Sequence, residues 1–226
     1  MNYFAHGYRF VDEPYFLAGT AMPDWLRVID RKARARSKWA EPLVGDSDKP
    51  VAALARGIMQ HHHDDRWFHQ TRSFAELSLE LTIAVRDLVP GDSGMRPSFL
   101  GHVLVELLLD AELIVDHPGR IDAYYEALQS LDGRVLRAAA ERMTNAGAEK
   151  LPELLPMFCR ERFLCDYADD AKLLMRLERV MRRVGLPPVP PELRDILPAA
   201  RRRVSQRKSD LLVGEATRVV GGSSRG

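Results

Sequence analysis

QHHHDDRWFH (residues 60–69) and GHVLVELLLD (residues 101–110) are the two stretches of sequence that decide the fold. Each stretch carries three histidine or acidic residues that recur at every fourth position. They are His61, Asp65 and His69 in the first stretch and His102, Glu106 and Asp110 in the second. Because a helix returns to nearly the same face after four residues, about 6 Å further along its axis, both stretches predict helices that present a line of imidazole and carboxylate groups.

Helical periodicity recurs along the rest of the chain and strand signals are scarce, so the sequence predicts an all-α protein. Proline, glycine and capping residues place helices at about 15–35 (kinked or split at Pro23), 50–69, 72–89, 99–116, 120–130, 132–146, 148–157, 160–184 and 191–213. Ser98 is the predicted N-cap of the helix 99–116, and Gly185 is the predicted end of the helix 160–184. A turn is predicted at 90–97.

The 226-residue chain is long enough to bury a sizeable core, and no linker divides it. We therefore expect one helical domain over 1–213, followed by a flexible tail over 214–226. The N-terminus lacks a basic start followed by an apolar run, so it does not resemble a signal peptide. Cys159 and Cys165 are typical of reduced thiols, and together these features predict a cytoplasmic protein.

The net charge of +1 predicts no nucleic-acid or membrane partner from bulk charge. The apolar stretch at 103–115 is too short and too acidic to span a bilayer. Basic residues nevertheless cluster at 31–38 and 201–208. Such clusters are typical of solvated helix faces, and the alternative is a docking surface for an acidic partner or a phosphate.

Several acidic residues lie within apolar sequence. Glu106 and Asp110 interrupt the apolar helix 99–116, and Asp24 lies between FLAGTAM and WL. A carboxylate in such a stretch is costly to bury unless it is paired or bound to a metal. Each histidine or carboxylate alone is better explained by a solvated face, a satisfied core position or an arginine pair, but together they favour a divalent metal site. Imidazole and carboxylate ligands suit manganese, iron or zinc, and magnesium where oxygen ligands dominate. Four arginines are candidates to contact phosphate oxygens near such a site, or else lie on helix surfaces: Arg27, Arg56, Arg66 and Arg72.

Five segments between residues 1 and 190 follow one another in the order and spacing of a known family. They are MNYFAH, FLAGTAMPDW, GIMQHHHDD, FLGHVLVELLLD and RFLCDYADDAKLLMRLERVMRRVGLP. The set resembles bacterial acyl-carrier-protein phosphodiesterases. The resemblance implies a single helical domain like that of HD-type metal-dependent phosphohydrolases. It also implies a divalent metal, commonly manganese, and hydrolysis of the phosphodiester that links 4′-phosphopantetheine to a serine of acyl carrier protein. The implied partner is acyl carrier protein or another acidic phosphate-bearing substrate, for which 31–38 is the expected docking surface.

The same resemblance implies roles for individual residues. Ligand roles fall first on His61, Asp65, Asp24 and Asp110, with His6 as a ligand or as a partner of one, and a metal-bound water would be the nucleophile. His61 and Asp65 are the predicted catalytic residues. The full predicted ligand set is His6, Asp24, His61, Asp65, His69, His102, Glu106 and Asp110.

The chain also departs from the family. Phe68-His69 stands where the family has Thr-Asp, Glu106 where it has Asp, and Ala111 where it has His. His102 is an added histidine, one turn before Glu106, that can replace a missing ligand. These departures support an alternative function, a non-catalytic helical interaction protein that keeps the fold and a structural metal. A di-iron enzyme is less favoured because its usual Glu-x-x-His pair is missing from the acidic blocks.

Overall fold

The computed structural model describes residues 1–88 and 94–214, and within these ranges the regular secondary structure is helical, with no strand. The α-helices are α1 (Tyr3–Gly7), α2 (Pro14–Ile29), α3 (Ser37–Ala40), α4 (Lys49–Phe68), α5 (Arg72–Leu88), α6 (Pro97–Asp116), α7 (Pro118–Gln129), α8 (Gly133–Glu141), α9 (Leu151–Glu161), α10 (Asp170–Val184), α11 (Leu193–Gln206) and α12 (Lys208–Leu211). Short 3₁₀ helices lie at Tyr8–Phe10, Glu41–Leu43, Ala148–Lys150 and Phe163–Ala168. The predicted all-α class is confirmed. Among the described helices none is long and apolar enough to cross a bilayer.

Two predictions fall on segments that the structure describes only in part. The predicted turn at 90–97 lies outside the described residues as far as position 93, and the predicted tail at 214–226 lies outside them from position 215 onward.

Two helices, α2 and α8, end earlier than predicted because the segments that follow them form hydrogen bonds with each other. Helix α2 runs through Pro23 but ends at Ile29, not near position 35. The backbone N–H of Arg34 donates to Asn145 Oδ1 at 2.6 Å, and the N–H of Asn145 donates to the carbonyl of Arg34 at 3.3 Å. An isolated bridge pairs Ala35 with Thr144. The same contact follows α8, which ends at Glu141 although it was predicted to reach 146.

Two predicted helix starts are wrong. Helix α6 has Arg96, not Ser98, as its N-cap, because Pro97 occupies the first turn, where its missing N–H is no loss. The predicted helix 160–184 is broken: Arg162 ends α9 in a left-handed conformation (φ 43°), and the Asp169 side chain begins α10 by accepting the N–H of Lys172. Gly185, with φ 75°, ends α10 as predicted.

The contacts of the chain group it into two compact units. The first unit comprises Met1–Asn2, Trp67–His117 and Phe163–Val213. Among residues 1–213, the second unit comprises Tyr3–Arg66 and Pro118–Arg162.

In the second unit, α2 and α4 pack backbone against backbone through two glycines. A Cβ on Gly19 would lie 2.3 Å from the carbonyl oxygen of Leu54, and a Cβ on Gly57 would lie 2.1 Å from that of Phe16. Any side chain at either position would therefore force the helices apart. The contact sets the register of the next turn, where Thr20 on α2 meets His61 on α4.

In the first unit, α5 and α6 make a similarly close contact. A Cβ on Gly101 would lie 2.6 Å from Thr82 Oγ1 and 2.7 Å from the carbonyl oxygen of Ser78. Gly101 directly precedes His102, so the contact also fixes the part of α6 that carries this histidine.

The two cysteines are free thiols. Cys159 is buried and Cys165 is exposed. Burial raises the pKa of Cys159 to about 11, so its thiol stays protonated and unreactive at neutral pH.

Candidate metal centres

Among the described residues, two groups of three histidine and acidic side chains bring ligand atoms within 4.8 Å of one another. The buried cluster is His6, His61 and Asp65, and all three residues belong to the second unit. The open cluster is His69, His102 and Glu106, and all three belong to the first unit. Six of the eight predicted ligands therefore fall into two groups, each contained within one unit.

The buried cluster is assembled by α1 and α4. His61 and Asp65 lie one turn apart on α4, and His61 Nε2 is 3.4 Å from Asp65 Oδ2. His6 on α1 approaches the other carboxylate oxygen, with its Nε2 3.2 Å from Asp65 Oδ1. The two imidazole rings stack with centroids 4.2 Å apart and an interplanar angle of 26°. A single carboxylate thus receives two stacked imidazoles, one on each oxygen.

The orientation of His61 is set from behind by α2. His61 Nδ1 lies 2.8 Å from the backbone carbonyl oxygen of Thr20. A carbonyl only accepts, so Nδ1 carries the hydrogen, and the Nε2 of a neutral ring presents its lone pair to Asp65. A lone pair facing a carboxylate oxygen is favourable only when a cation, either a proton or a metal ion, lies between them. Histidine ligands of metals are commonly held by a backbone carbonyl in this way.

His6 is fully buried among charged partners. Its Nδ1 is 3.6 Å from Asp64 Oδ2, and its side chain is 0% exposed. Neither ring nitrogen of His6 has hydrogen-bond geometry to a neighbour. Buried imidazole nitrogens normally make hydrogen bonds, so the His6 ring is better explained as a metal ligand.

The pKa shifts in the buried cluster favour a protonated His6 beside an ionised Asp65. Burial opposes protonation of His6, but the Asp64 and Asp65 carboxylates outweigh it and raise the pKa of His6 to about 9. Burial also opposes the charged form of Asp65, yet the contacts with His6 and His61 hold the pKa of Asp65 well below its usual range. A proton on His6 supplies the charge when no ion is bound, and a divalent ion would replace that proton.

Asp64, Gln60 and Arg9 surround the buried cluster and were not singled out from the sequence. Asp64 is 0% exposed, and its Oδ1 accepts a 2.8 Å hydrogen bond from Gln60 Nε2. Arg9 Nη2 lies 3.8 Å from Asp64 Oδ2. The i, i+4 spacing of Gln60 and Asp64 was a usable signal. Arg9 gave none, because it follows His6 across the change from α1 to a 3₁₀ turn.

The open cluster is assembled by α6 and the residue after α4. His102 and Glu106 lie one turn apart on α6, and His69 directly follows the last residue of α4. His69 Nε2 and His102 Nε2 lie 3.0 Å and 3.3 Å from the same oxygen, Glu106 Oε1. The amino group of Met1 also contacts this oxygen, at 3.0 Å.

Aromatic rings hold the histidines of the open cluster in place. The Phe74 ring centroid is 4.8 Å from that of His69 and 4.9 Å from that of His102. The side chains of His69 and His102 are 33% and 43% exposed, and that of Glu106 is 17% exposed. Burial opposes ionisation of Glu106, but the Met1 ammonium, His102 and His69 outweigh it and hold the pKa of Glu106 well below its usual range.

Both clusters have the donor spacing of a metal site. Bonds of about 2.0–2.2 Å to one ion place neighbouring ligand atoms roughly 3.0–3.5 Å apart. The measured nitrogen–oxygen separations are 3.2 and 3.4 Å in the buried cluster and 3.0 and 3.3 Å in the open cluster. Both sets of residues therefore suit a metal ion in their chemistry and their spacing.

The remaining two predicted ligands, Asp24 and Asp110, belong to neither cluster. Asp24 is half-buried on α2. Asp110 is fully buried on α6, where its Oδ2 accepts a 2.8 Å hydrogen bond from Asn2 Nδ2. Asn2 also donates to the hydroxyl of Tyr167 at 3.3 Å. The structure thus gives Asp110 a hydrogen-bonding role inside the first unit.

Two of the four arginines that were candidates for phosphate contacts, with helix surfaces as the alternative, are engaged elsewhere. Arg56 Nη1 donates to the carbonyl of Val44 at 3.1 Å, and Arg72 pairs with Glu76 at 2.6 Å on the surface. Arg27 and Arg66 are exposed.

The two basic clusters differ in how their charges are used. In 201–208 four basic side chains pair with acids of the first unit: Arg201 with Asp170, Arg203 with Glu80, Arg207 with Glu76 and Glu80, and Lys208 with Asp116. In 31–38, Arg34 donates to the carbonyls of Arg31 and Ala33, whereas Arg36 and Lys38 are exposed beside the Trp39 ring. The 31–38 cluster therefore leaves more positive charge open to solvent.

No family model, no curated protein and no solved structure matches the chain.

Proposed function

We propose that this protein is a metal-dependent hydrolase of a phosphodiester or phosphate ester, with its active site at the buried cluster. One observation carries the proposal: His61 is anchored on the Thr20 carbonyl so that its Nε2 lone pair faces the Asp65 carboxylate. That arrangement needs a proton or a metal ion between the two groups, and a metal ion is favoured because His6 Nε2 approaches the other oxygen of Asp65 at 3.2 Å. The imidazole and carboxylate donors suit manganese, iron or zinc, with magnesium as a further alternative, and the family resemblance favours manganese.

The residues of the chain divide the work. His6, His61 and Asp65 would hold the ion, which when bound supplies an acidic water and neutralises charge on a phosphoryl group. Asp65 is 34% exposed, so the cluster is reached by solvent on the side of this carboxylate. Gln60 donates a hydrogen bond to Asp64, and Asp64 forms ion-pair contacts with both His6 and Arg9.

Arg9 is the residue best placed to select a phosphate. Its guanidinium lies 3.8 Å from Asp64, 21% of its side chain is exposed, and it packs over the Phe10 ring at 5.0 Å. A planar guanidinium binds phosphate oxygens in pairs. We propose that a phosphoryl group bound by the ion also reaches the Arg9 guanidinium, which lies beside the cluster at Asp64.

The test begins with the purified full chain. It should contain a divalent metal by elemental analysis, and with Mn²⁺ it should hydrolyse bis-p-nitrophenyl phosphate. A chelator should stop turnover, and added Mn²⁺ should restore it. Protein that binds no metal and shows no turnover with any of the four metals would contradict the proposal.

Acyl carrier protein is the candidate natural substrate, supported by the resemblance described above and by the exposed charges of 31–38. An acidic carrier protein would complement that basic surface. Mass spectrometry of holo-acyl carrier protein incubated with the enzyme should show loss of 4′-phosphopantetheine. If only small phosphodiesters are cleaved, the hydrolase proposal stands and the substrate is another phosphate ester.

A non-catalytic interaction protein with a structural metal is the second candidate function. It is favoured by the enclosure of the buried cluster, since the His6 and His61 side chains are 0% and 5% exposed. In that case metal removal lowers thermal stability, and no phosphate ester is hydrolysed by the metal-loaded chain. Turnover that is lost in a folded Asp65→Asn variant would exclude it.

A further inference from the structure

The open cluster brings two imidazoles to one carboxylate on a solvent-accessible face of the first unit. We propose that His69, His102 and Glu106 form a second metal site, independent of the buried cluster, for a borderline transition-metal ion such as Zn²⁺. The proposed hydrolase activity does not require this site.

The donor set fits that class of ion. Two imidazole nitrogens and one carboxylate are typical of zinc sites that keep an open position for water, whereas Mg²⁺ and Ca²⁺ favour oxygen ligands. His69 Nε2 and His102 Nε2 converge on Glu106 Oε1 at 3.0 Å and 3.3 Å, and an ion bound there would displace the Met1 amino group that contacts the same oxygen at 3.0 Å. The ring centroids of His69 and His102 are 5.0 Å apart with an interplanar angle of 34°. Both Nε2 atoms face the same space because both approach the same oxygen.

The cluster is organised before any ion binds. His102 and Glu106 share one face of α6 through their i, i+4 spacing, and Gly101 locks that turn of α6 against α5. Phe74 packs against both imidazole rings, and Phe68 packs against His69 with centroids 5.3 Å apart. Side chains whose orientation is set by packing lose little entropy on binding, which favours affinity.

The exposure of the cluster gives the ion a route and a free coordination position. The side chains of His69 and His102 are 33% and 43% exposed, so an ion can enter from solvent and retain water. Once bound, it would tie the residue after α4 to α6. The site would therefore stabilise the turn between α4 and α5 within the first unit.

The test is a comparison of metal stoichiometry in the full chain. Zn²⁺ is titrated into metal-free parent, His102→Ala and Glu106→Gln proteins, and Co²⁺ is used in parallel because its visible absorption reports nitrogen coordination. His117→Ala is the matched control, since His117 is an exposed histidine of the same unit and lies in neither cluster. We expect His102→Ala to bind one ion fewer per chain than the parent. The affinity of the open cluster should fall at least about tenfold, because even the loss of a ligand's hydrogen-bond partner costs about 10–100-fold. His117→Ala should match the parent.

The outcomes separate this inference from the proposed function. A parent that binds one ion, lost in His102→Ala, supports the open cluster and counts against the buried one. A parent that binds one ion, retained in both His102→Ala and Glu106→Gln, overturns the inference. Glu106→Gln keeps the shape of the side chain, so it remains informative if His102→Ala fails to fold.

Discussion

The buried and open clusters use the same residue types to different ends. Each joins two histidines to one carboxylate, and each takes two ligands from one helix at i, i+4 spacing. In the buried cluster the histidines are enclosed, and the backbone and a second carboxylate constrain them from behind. In the open cluster the histidines are partly solvated and are held by aromatic packing. The difference is one of dielectric environment. A charge on the enclosed imidazoles of the buried cluster must be compensated by the protein, whereas water can compensate one on the partly exposed imidazoles of the open cluster.

The largest expected effect of this difference is on stability. In metal-free protein, His6→Ala leaves Asp64 and Asp65 without their buried cationic partner, so we expect the free energy of unfolding to fall by about 3–5 kcal/mol. His102→Ala removes a partly exposed contact and should cost less than about 1 kcal/mol. Urea unfolding in the presence of a chelator measures both values. Equal losses of unfolding free energy would show that solvent screens the charges of both clusters equally. The proposed difference in environment between the clusters would then be wrong.

The next effect is on catalysis. Asp65→Asn removes the carboxylate that both buried histidines face, and kcat/KM for bis-p-nitrophenyl phosphate should fall at least about 100-fold, beyond the 10–100-fold cost of losing an outer partner. The loss should exceed that of Glu106→Gln in the open cluster. Glu126→Gln, an exposed carboxylate on α7, is the control and should retain the parent's rate. A larger loss in Glu106→Gln than in Asp65→Asn would move the active site to the open cluster.

Two of the three residues in each cluster could be placed together from the sequence, and the reason is geometric. His61 with Asp65, and His102 with Glu106, are neighbours on one helix, and a spacing of four residues is enough to place them together. His6 reaches the buried cluster only through the packing of α1, which is a long-range property. The i, i+4, i+8 line fails at His69 because α4 ends at Phe68, so this side chain joins α6 and not Asp65.

The fold could also be predicted in part, where local sequence rules determine the helices. The apolar α6 and the proline- and glycine-marked ends of several helices follow local rules, and the all-α class follows from them. The ends of α2 and α8 depend on Arg34 and Asn145, which are far apart in sequence and pair only in the folded chain. The approach of Gly19 to Gly57 is also a property of the folded chain, because a glycine in a sequence does not by itself predict a contact between helices.

Metal affinity at the buried cluster should depend steeply on pH. The pKa of His6 is raised to about 9 in the metal-free protein, so below that pH an ion must displace a proton from His6. Affinity should therefore rise with pH by about tenfold per unit until pH 9, or roughly 100-fold between pH 6 and 8. Competition with a chromophoric chelator, in a His102→Ala background that removes the open cluster, measures this slope. A flat profile would mean that His6 is not a ligand.

Arg9 tests whether the buried cluster binds a phosphate group of the substrate. If its guanidinium contacts a phosphate oxygen, Arg9→Met should lower kcat/KM roughly 10–100-fold, the equivalent of one charge-assisted hydrogen bond of about 1.5–3 kcal/mol. The metal content should stay at the parent's value. Arg160→Met, at an exposed arginine of the same unit, is the matched control. A loss of metal in Arg9→Met would instead assign Arg9 a role in holding Asp64.

The smallest expected effect is on docking, and it extends the comparison to the two basic clusters. Arg36 and Lys38, in the unit that holds the buried cluster, are exposed, whereas Arg201 and Arg203 in the other unit are paired with acids. If the substrate is an acidic carrier protein, reversing Arg36 and Lys38 to Glu should weaken binding roughly twofold to tenfold at low salt, because exposed charges are screened. Added salt should erase the difference.

Arg34 is a poor choice for this test, since its side chain bonds to the carbonyls of Arg31 and Ala33 and its loss would disturb the backbone. Arg202→Glu, an exposed change in the other unit, is the matched reversal. Equal weakening by both changes would point to general charge attraction and not to a docking surface beside the buried cluster.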